Sequence, residues 1–193
     1  MYDDARDEVI EMMQDLEAAR SQERLDELVL YVSFHLADSP NFGMVALNKA
    51  LFFSEMLHYV EYGHAITGAT YTRQRFGPTL HQMLPVIRRL EASHDAVVRN
   101  VPVGTYTQKR LVAQREARSS LFDASELKTV NGVLNMCRNF TGTQLSEMSH
   151  NLPGWRLARD GEEIPFFTAF IYEGPPSEHE LEVSRRLVRR LNL

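Results

Sequence analysis

The sequence predicts a mainly helical α+β fold built around one buried helix, and three observations lead there. From Met44 to Tyr62 almost every position is apolar except Asn48, Lys49, Ser54, Glu55, His58 and Glu61, so a helix over this span has hydrophobic surface around most of its circumference and belongs at the centre. Flanking segments carry apolar residues at helical spacing. Two other stretches, Ile66–Phe76 and Val97–Val112, are rich in β-branched and aromatic residues, which favours strands. They are expected to pair as a small antiparallel sheet.

Each element has its own warrant. Val9, Met12, Met13 and Leu16, then Leu25, Leu28, Val29, Val32 and Leu36, follow a helical period. Ser21 between them is a candidate N-cap without a capping box, so the pattern allows one bent helix or two. Asp38–Ser39–Pro40–Asn41 breaks it. In the central helix Asn48, Glu55, His58 and Tyr62 fall on one stripe at about 100° per residue, with Lys49 on another side. Leu51, Phe52, Met56 and Leu57 are expected at the centre of the core. Gly63 is placed to end the helix as a left-handed residue.

Ile66–Phe76 reads as extended, with Gly68 as a turn or bulge. Alternation along a strand would put Tyr71, Arg73 and Arg75 on one face. Gly77–Pro78 is expected to start the next helix, with Pro78 in its first turn. That helix would bury Leu80, Met83, Leu84, Ile87 and Leu90 and be kinked or ended by Pro85. Pro102 and Gly104 interrupt the later strand region and favour an edge or an irregular hairpin. Asp123 followed by Glu126 has the form of a capping box for a helix bearing Leu127, Val130, Leu134, Cys137 and Phe140. Thr141–Gly142–Thr143 interrupts it, Leu145–His150 forms a short helix, and Asn151–Trp155 is a loop. Ser177 and Glu180 form a second capping-box pattern before a terminal helix whose arginines, Arg185, Arg186, Arg189 and Arg190, lie where the helix dipole favours cations.

The totals bound the function. A chain of 193 residues fits one domain, with an N-terminal helical extension and a C-terminal helix. Its formal charge of −5 has the wrong sign for binding dominated by phosphates, so nucleic acid is disfavoured as a partner. Cys137 is the single cysteine, which rules out an intrachain disulfide and a multi-cysteine zinc site and fits a reducing, cytoplasmic location. No apolar run reaches membrane-spanning length.

Reactive constellations are sparse. Glu55 and His58, three apart on a helix, have the types of an acid–base pair, but no nucleophile motif accompanies them, and a buried polar contact is the plainer reading. His58, His64, His81, His94 and His150 lack metal-ligand spacing, and Gly63, Gly68 and Gly77 are too far apart for a phosphate loop. No cofactor motif is legible. Tyr71, Arg73 and Arg75 could form a partner-binding face, since aromatic and arginine side chains recur at interface hot spots; the alternative is a strand edge protected by charge. The terminal arginines read as a solvated helix face before they read as a nucleic-acid contact. Trp155 is expected to plug the core.

Order and content together point further. Leu47–Asn48–Lys49–Ala50–Leu51–Phe52–Phe53, Leu57–His58–Tyr59, Glu61–Tyr62–Gly63, Ile66–Thr67–Gly68–Ala69–Thr70–Tyr71 and Phe76–Gly77–Pro78 resemble the signature of the Panacea domain, the SocA-like antitoxin family of bacteria and phages. Ser149–His150 with Trp155 resembles its later element. The motif positions are Lys49, His58, Tyr62, Gly63, Gly68, Gly77, Pro78, His150 and Trp155. Ala50, Ser54, Glu55 and Thr79–Leu80 depart from the pattern. The resemblance implies a non-enzymatic, cytoplasmic antitoxin that binds a cognate toxin protein, with a Clp-type protease as a further partner, and a homo-oligomer is an open expectation. The alternatives are a small enzyme using Glu55 and His58, or a phage or plasmid regulator contacting nucleic acid.

Overall fold

The structure, a computed structural model, describes residues 2–171 and 178–191. In chain order the helices and strands are α1 (Tyr2–His35), α2 (Met44–Tyr62), β1 (Tyr71–Thr72), β2 (Thr79–Leu80), α3 (Met83–Ala92), β3 (Ala96–Val103), β4 (Tyr106–Ala113), α4 (Ala124–Arg138), α5 (Gly142–His150), α6 (Pro153–Leu157) and α7 (Glu178–Leu191). The fold is α+β and mainly helical, as the sequence predicts. α1 is one continuous helix; among its described side chains those of Met12–Gln22 are exposed and burial in the core starts at Leu25.

α2 is the centre. Leu47, Ala50, Leu51 and Phe52 are fully buried, and α1, α4, α5, α7 and a strand of each hairpin pack against it. Leu57, expected in the core, is half-exposed instead, because the C-terminal half of α2 leaves a shallow groove against α4. Gly63 ends the helix at φ 79°, its N–H donating to Tyr59 O at 2.9 Å, a left-handed conformation that costs glycine nothing.

The strands differ from expectation. Tyr71–Thr72 pairs with Thr79–Leu80, not with the Val97–Val112 region, whose two halves pair with each other from Ala96–Ala113 to Val103–Tyr106. The physical reason is local closure across short loops, and the other edge of β1 is taken by residues 161–164, where Arg73 N donates to Glu162 O and Ile164 N to Tyr71 O, each at 2.8 Å. Gly104, at φ 57°, occupies the first position of the two-residue turn, where a hairpin requires a positive φ. Residues 66–70 and 73–78 are turns and coil rather than strand, so Tyr71, Arg73 and Arg75 share no strand face.

Gly77–Pro78 leads into β2, and α3 begins only at Met83. Pro85 therefore falls in the first turn, where no intrahelical N–H is lost, and it neither kinks nor ends the helix. Leu84 is exposed. Asp123 caps α4 as predicted: its carboxylate accepts from Ser125 N and Glu126 N while Glu126 accepts from Asp123 N. Thr141 and Gln144 form a second capping box that opens α5. The 151–155 segment contains the start of α6, with Pro153 at its first position. Ser177, the predicted cap of the last helix, lies outside the described residues; α7 itself is present, with Val183 buried. No described helix is long and apolar enough to cross a membrane.

Candidate functional site

The polar residues of α2 serve the segment that follows it. Asn48 accepts from Leu80 N at 3.0 Å through Oδ1 and donates to Met44 O. Glu55, fully buried, accepts from Ile66 N at 2.7 Å, from Thr67 N at 3.1 Å and from the Thr67 hydroxyl. His58 Nδ1 donates to His64 O at 2.9 Å. From another side of the helix, Lys49 Nζ donates to Pro78 O at 2.8 Å. Four side chains of one helix thus hold the 64–80 backbone, which has little ladder of its own and would otherwise bury unpaired groups.

Glu55 and His58 both hold the loop in this arrangement. They bond to different parts of the loop, and neither bonds to the other. Burial raises the Glu55 carboxyl above its ordinary range, against the hydrogen bonds from Thr67, Ile66 and Gly68 that favour its charge. Both side chains are fully buried. Tyr62 packs on the His58 ring at 4.6 Å, and Gly68 takes φ 73° in the loop that Glu55 binds.

Lys49 is the least expected member. It is 1% exposed, and burial pulls its ammonium down to about 7. Gly77 faces it: a Cβ at that position, already strained at φ 93°, would lie 2.8 Å from Lys49 Cε and would also meet the Ser149 hydroxyl. Ser149 is fully buried and donates to Ser146 O at 2.7 Å, and Ser146 in turn donates to Phe76 O at 3.0 Å. The Phe76–Gly77–Pro78 turn is therefore clamped between α2 and α5.

A second cluster braces the other side of this turn. Arg73 places its guanidinium 4.1 Å over the Trp155 ring, and His150 stacks on the same ring at 4.0 Å. Arg73 Nη1 donates to Trp155 O at 3.1 Å and Ala158 O at 2.6 Å, and Nε lies 3.0 Å from Asp160 Oδ1. Burial, then the charges of Lys49 and Arg73, pulls the His150 imidazole below its ordinary value. Trp155 is half-buried against the core, its Nε1 donating to Gln74 O at 3.4 Å.

The three residues expected to form a partner-binding face lie in different surroundings. Tyr71 is fully buried, edge-on to Phe52 at 5.3 Å, and burial followed by the Glu55 charge raises its phenol well above the ordinary value. Arg73 is engaged with Trp155 and the α6 carbonyls. Arg75 alone of the three is exposed, its guanidinium 5.4 Å from the Phe76 ring. Tyr71 and Arg73 are thus taken up within the fold, and Arg75 stands outward.

What the clamped turn presents outward is Phe76, 61% exposed. It stands at the edge of an open cleft of about 890 Å³ whose walls are the start of α2 with the preceding Asn41–Gly43 segment, the start of β4, and α5 with its Thr141 cap. Tyr106, 56% exposed, and Val45 complete an apolar rim. The hairpin wall is fixed by Gln108 Nε2 and Arg110 Nη2, which donate to Asn41 O at 3.3 Å and Pro40 O at 2.7 Å. Sequence reasoning passed over Val45, Phe76 and Tyr106 as cleft residues; only Phe76 carried a signal, by opening the Phe-Gly-Pro motif. Among the described residues no group of three or more His, Cys, Asp or Glu is placed to hold a metal ion.

Comparison with known families agrees with the motif geometry. Residues 47–156 match the family model described as "Antitoxin SocA-like, Panacea domain". The match covers more than half of the chain, from the core of α2 to α6, and the chain belongs to this antitoxin-like family. No curated protein and no solved structure matches it.

Proposed function

We propose that the chain is an antitoxin that neutralises a cognate protein toxin by direct binding, and that the toxin seats on the cleft rim of Val45, Phe76 and Tyr106, with Arg75 beside it. The observation that carries this reading is the exposed Phe76, held on a turn that Lys49, Ser146 and the neighbouring arginine–tryptophan stack keep rigid. Exposed aromatics on a fixed backbone supply contact area with little ordering cost, which is how hot spots work. Family membership supports the antitoxin role, and the enclosed Glu55 and His58 favour binding over turnover. The whole chain acts in the cytoplasm as one domain in this reading, and hand-over of the toxin to a Clp-type protease is its further step.

Co-expression with the growth-inhibiting product of a neighbouring gene tests it. Growth is restored, and the two proteins co-purify. Phe76→Ala and Tyr106→Ala each weaken the complex by about 2 kcal/mol, close to thirtyfold, without loss of fold. Rescue with no detectable complex would sink direct neutralisation. Unchanged affinity in both variants would move the contact off the cleft. If delivery to a protease operates, the toxin is shorter-lived with the chain present, and only in protease-proficient cells.

A further inference from the structure

The β3–β4 hairpin has two outer edges, and their backbone groups meet different surroundings. The two-residue turn at Gly104–Thr105 makes Val103–Tyr106 a hydrogen-bonded pair. In an antiparallel ladder such pairs alternate with pairs whose N–H and C=O groups point away from the partner strand. Two bonds near the far end have the same phase: Gln114 N donates to Asp95 O at 2.8 Å, continuing the bonded pairs, and Val98 N, which points outward, donates to Glu91 Oε1 at 3.1 Å. The outward groups therefore include those of Val98, Asn100 and Pro102 on β3 and of Thr107, Lys109 and Leu111 on β4.

The β3 edge is blocked. Glu91 occupies Val98 N, Pro102 has no N–H to offer, and α3 packs on the strand. The β4 edge is open where it enters the cleft. Thr107 and Lys109 are exposed and line that cleft, and among the described residues no bond from outside the hairpin reaches their N–H or C=O groups. Leu111, further along, is buried, so the open stretch runs from Thr107 to Lys109. It is also held in place: Gln108 and Arg110, whose backbone groups are used inside the hairpin, tie the strand to Asn41 O and Pro40 O through their side chains.

An outward row of N–H and C=O groups is what an added strand pairs with. We propose that the cleft takes an extended segment of the toxin, added to β4 as a third strand through the backbones of Thr107 and Lys109, with alternate side chains apolar and facing Val45 and Phe76. This rests on the toxin reading of the cleft and adds the shape and backbone chemistry of what enters it. A helical segment does not answer the edge, because a helix uses its own N–H and C=O groups internally. A second copy is the poorer occupant too. Paired on its own Thr107–Lys109 stretch, it would set two Lys109 side chains opposite or diagonal on one sheet face, where like charges repel.

Proline substitution along β4, read by affinity for the growth-inhibiting product of a neighbouring gene, tests it. At Thr107 and Lys109 a proline removes only an outward N–H and leaves the hairpin's own ladder in place, whereas alanine keeps that N–H. Thr107→Pro and Lys109→Pro each bind about tenfold more weakly than Thr107→Ala and Lys109→Ala. Hydrogen exchange of the wild type gives the same answer without a substitution: the Thr107 and Lys109 amides exchange rapidly in the free protein and are protected in the complex, while the Gln108 amide is protected in both. Proline variants that bind like the alanine ones, or amides that stay unprotected in the complex, overturn strand addition; if Phe76→Ala still weakens that complex, the toxin reading of the cleft survives. A wild type that forms no complex overturns both. A chain that dimerises by itself, with a dimer that Lys109→Pro dissolves, gives the edge to a second copy and overturns the toxin strand.

Discussion

At the scale of residues, Lys49 is the most exposed to test. A lysine inside the core shifts stability with pH in a direction fixed by its proton binding. The unfolded chain holds the proton up to about 10.4, whereas the folded chain releases it above about 7. Between those values the unfolded state binds more protons, so folding stability rises with pH; below about 7 both states are protonated and the dependence disappears. The slope is bounded at about 1.4 kcal/mol per pH unit. Denaturant titrations of the wild type and Lys49→Met at pH 7, 8.5 and 10 isolate it, since all other groups cancel in the difference. The wild type gains on the variant as pH rises, and parallel curves would mean that Lys49 stays charged inside the fold. The sequence marked Lys49 as a polar break in an apolar helix, but its partner, Pro78 O, lies 29 positions away and is found only in the fold.

At the scale of elements, legibility follows the range of the interactions that define each one. The α4 start was readable because Asp123 and Glu126 satisfy each other's neighbours within one turn. Asp123→Ala removes that acceptor and should cost about 1 kcal/mol, measured by chemical denaturation; a loss below a few tenths would show that Glu126, also held by Arg24 at 2.6 Å, fixes the turn alone. The Thr141–Gln144 box was equally local, and its Thr-x-x-Gln form was present to be read. Strand pairing was not readable in this way. Two β-rich stretches admit several antiparallel pairings, within each as well as between them, and alternation says nothing about which neighbour a strand takes. Nor does alternation hold where the strand is two residues long, which is why Tyr71 turned inward and Arg73 was taken up by Trp155.

At the scale of the molecule, ion pairs tie α1 to the rest, and the most buried carboxylate among them is Glu27. Glu27, 1% exposed, accepts from Arg115 Nη2 at 2.7 Å, Arg115 Nη1 at 3.0 Å and Arg118 N at 2.8 Å. Arg115 Nε also lies 2.6 Å from Asp95, so α1, the loop after α3 and the segment after β4 meet at one guanidinium. Burial opposes the charge on Glu27, but the bonds from Arg115 and Arg118 outweigh it and hold the carboxyl below its ordinary range. Its contribution is present above about pH 4.3, the unfolded value, and is lost as pH falls through the lower folded value. Glu27→Ala removes the buried acceptor shared by two partly exposed guanidiniums and should cost about 1–3 kcal/mol at neutral pH, a difference that shrinks in acid. Thermal unfolding at pH 7 and pH 3 checks both, and an equal deficit at the two pH values would assign the loss to packing.

The sequence by itself determined the family, the mainly helical class, the buried central helix and the caps, because each is written in composition, period or residues a few positions apart. The tertiary structure alone decided what the polar stripe of α2 does, which strands pair, and which side chains of the motif face outward. Those outcomes depend on contacts between residues 10 to 100 positions apart, such as Glu55 with Ile66, Lys49 with Pro78 and Arg73 with Trp155. A side chain's type states what it can bond to. Only the packed chain decides what stands within reach, and here that turned the expected contact face into a brace and left Phe76 at the cleft.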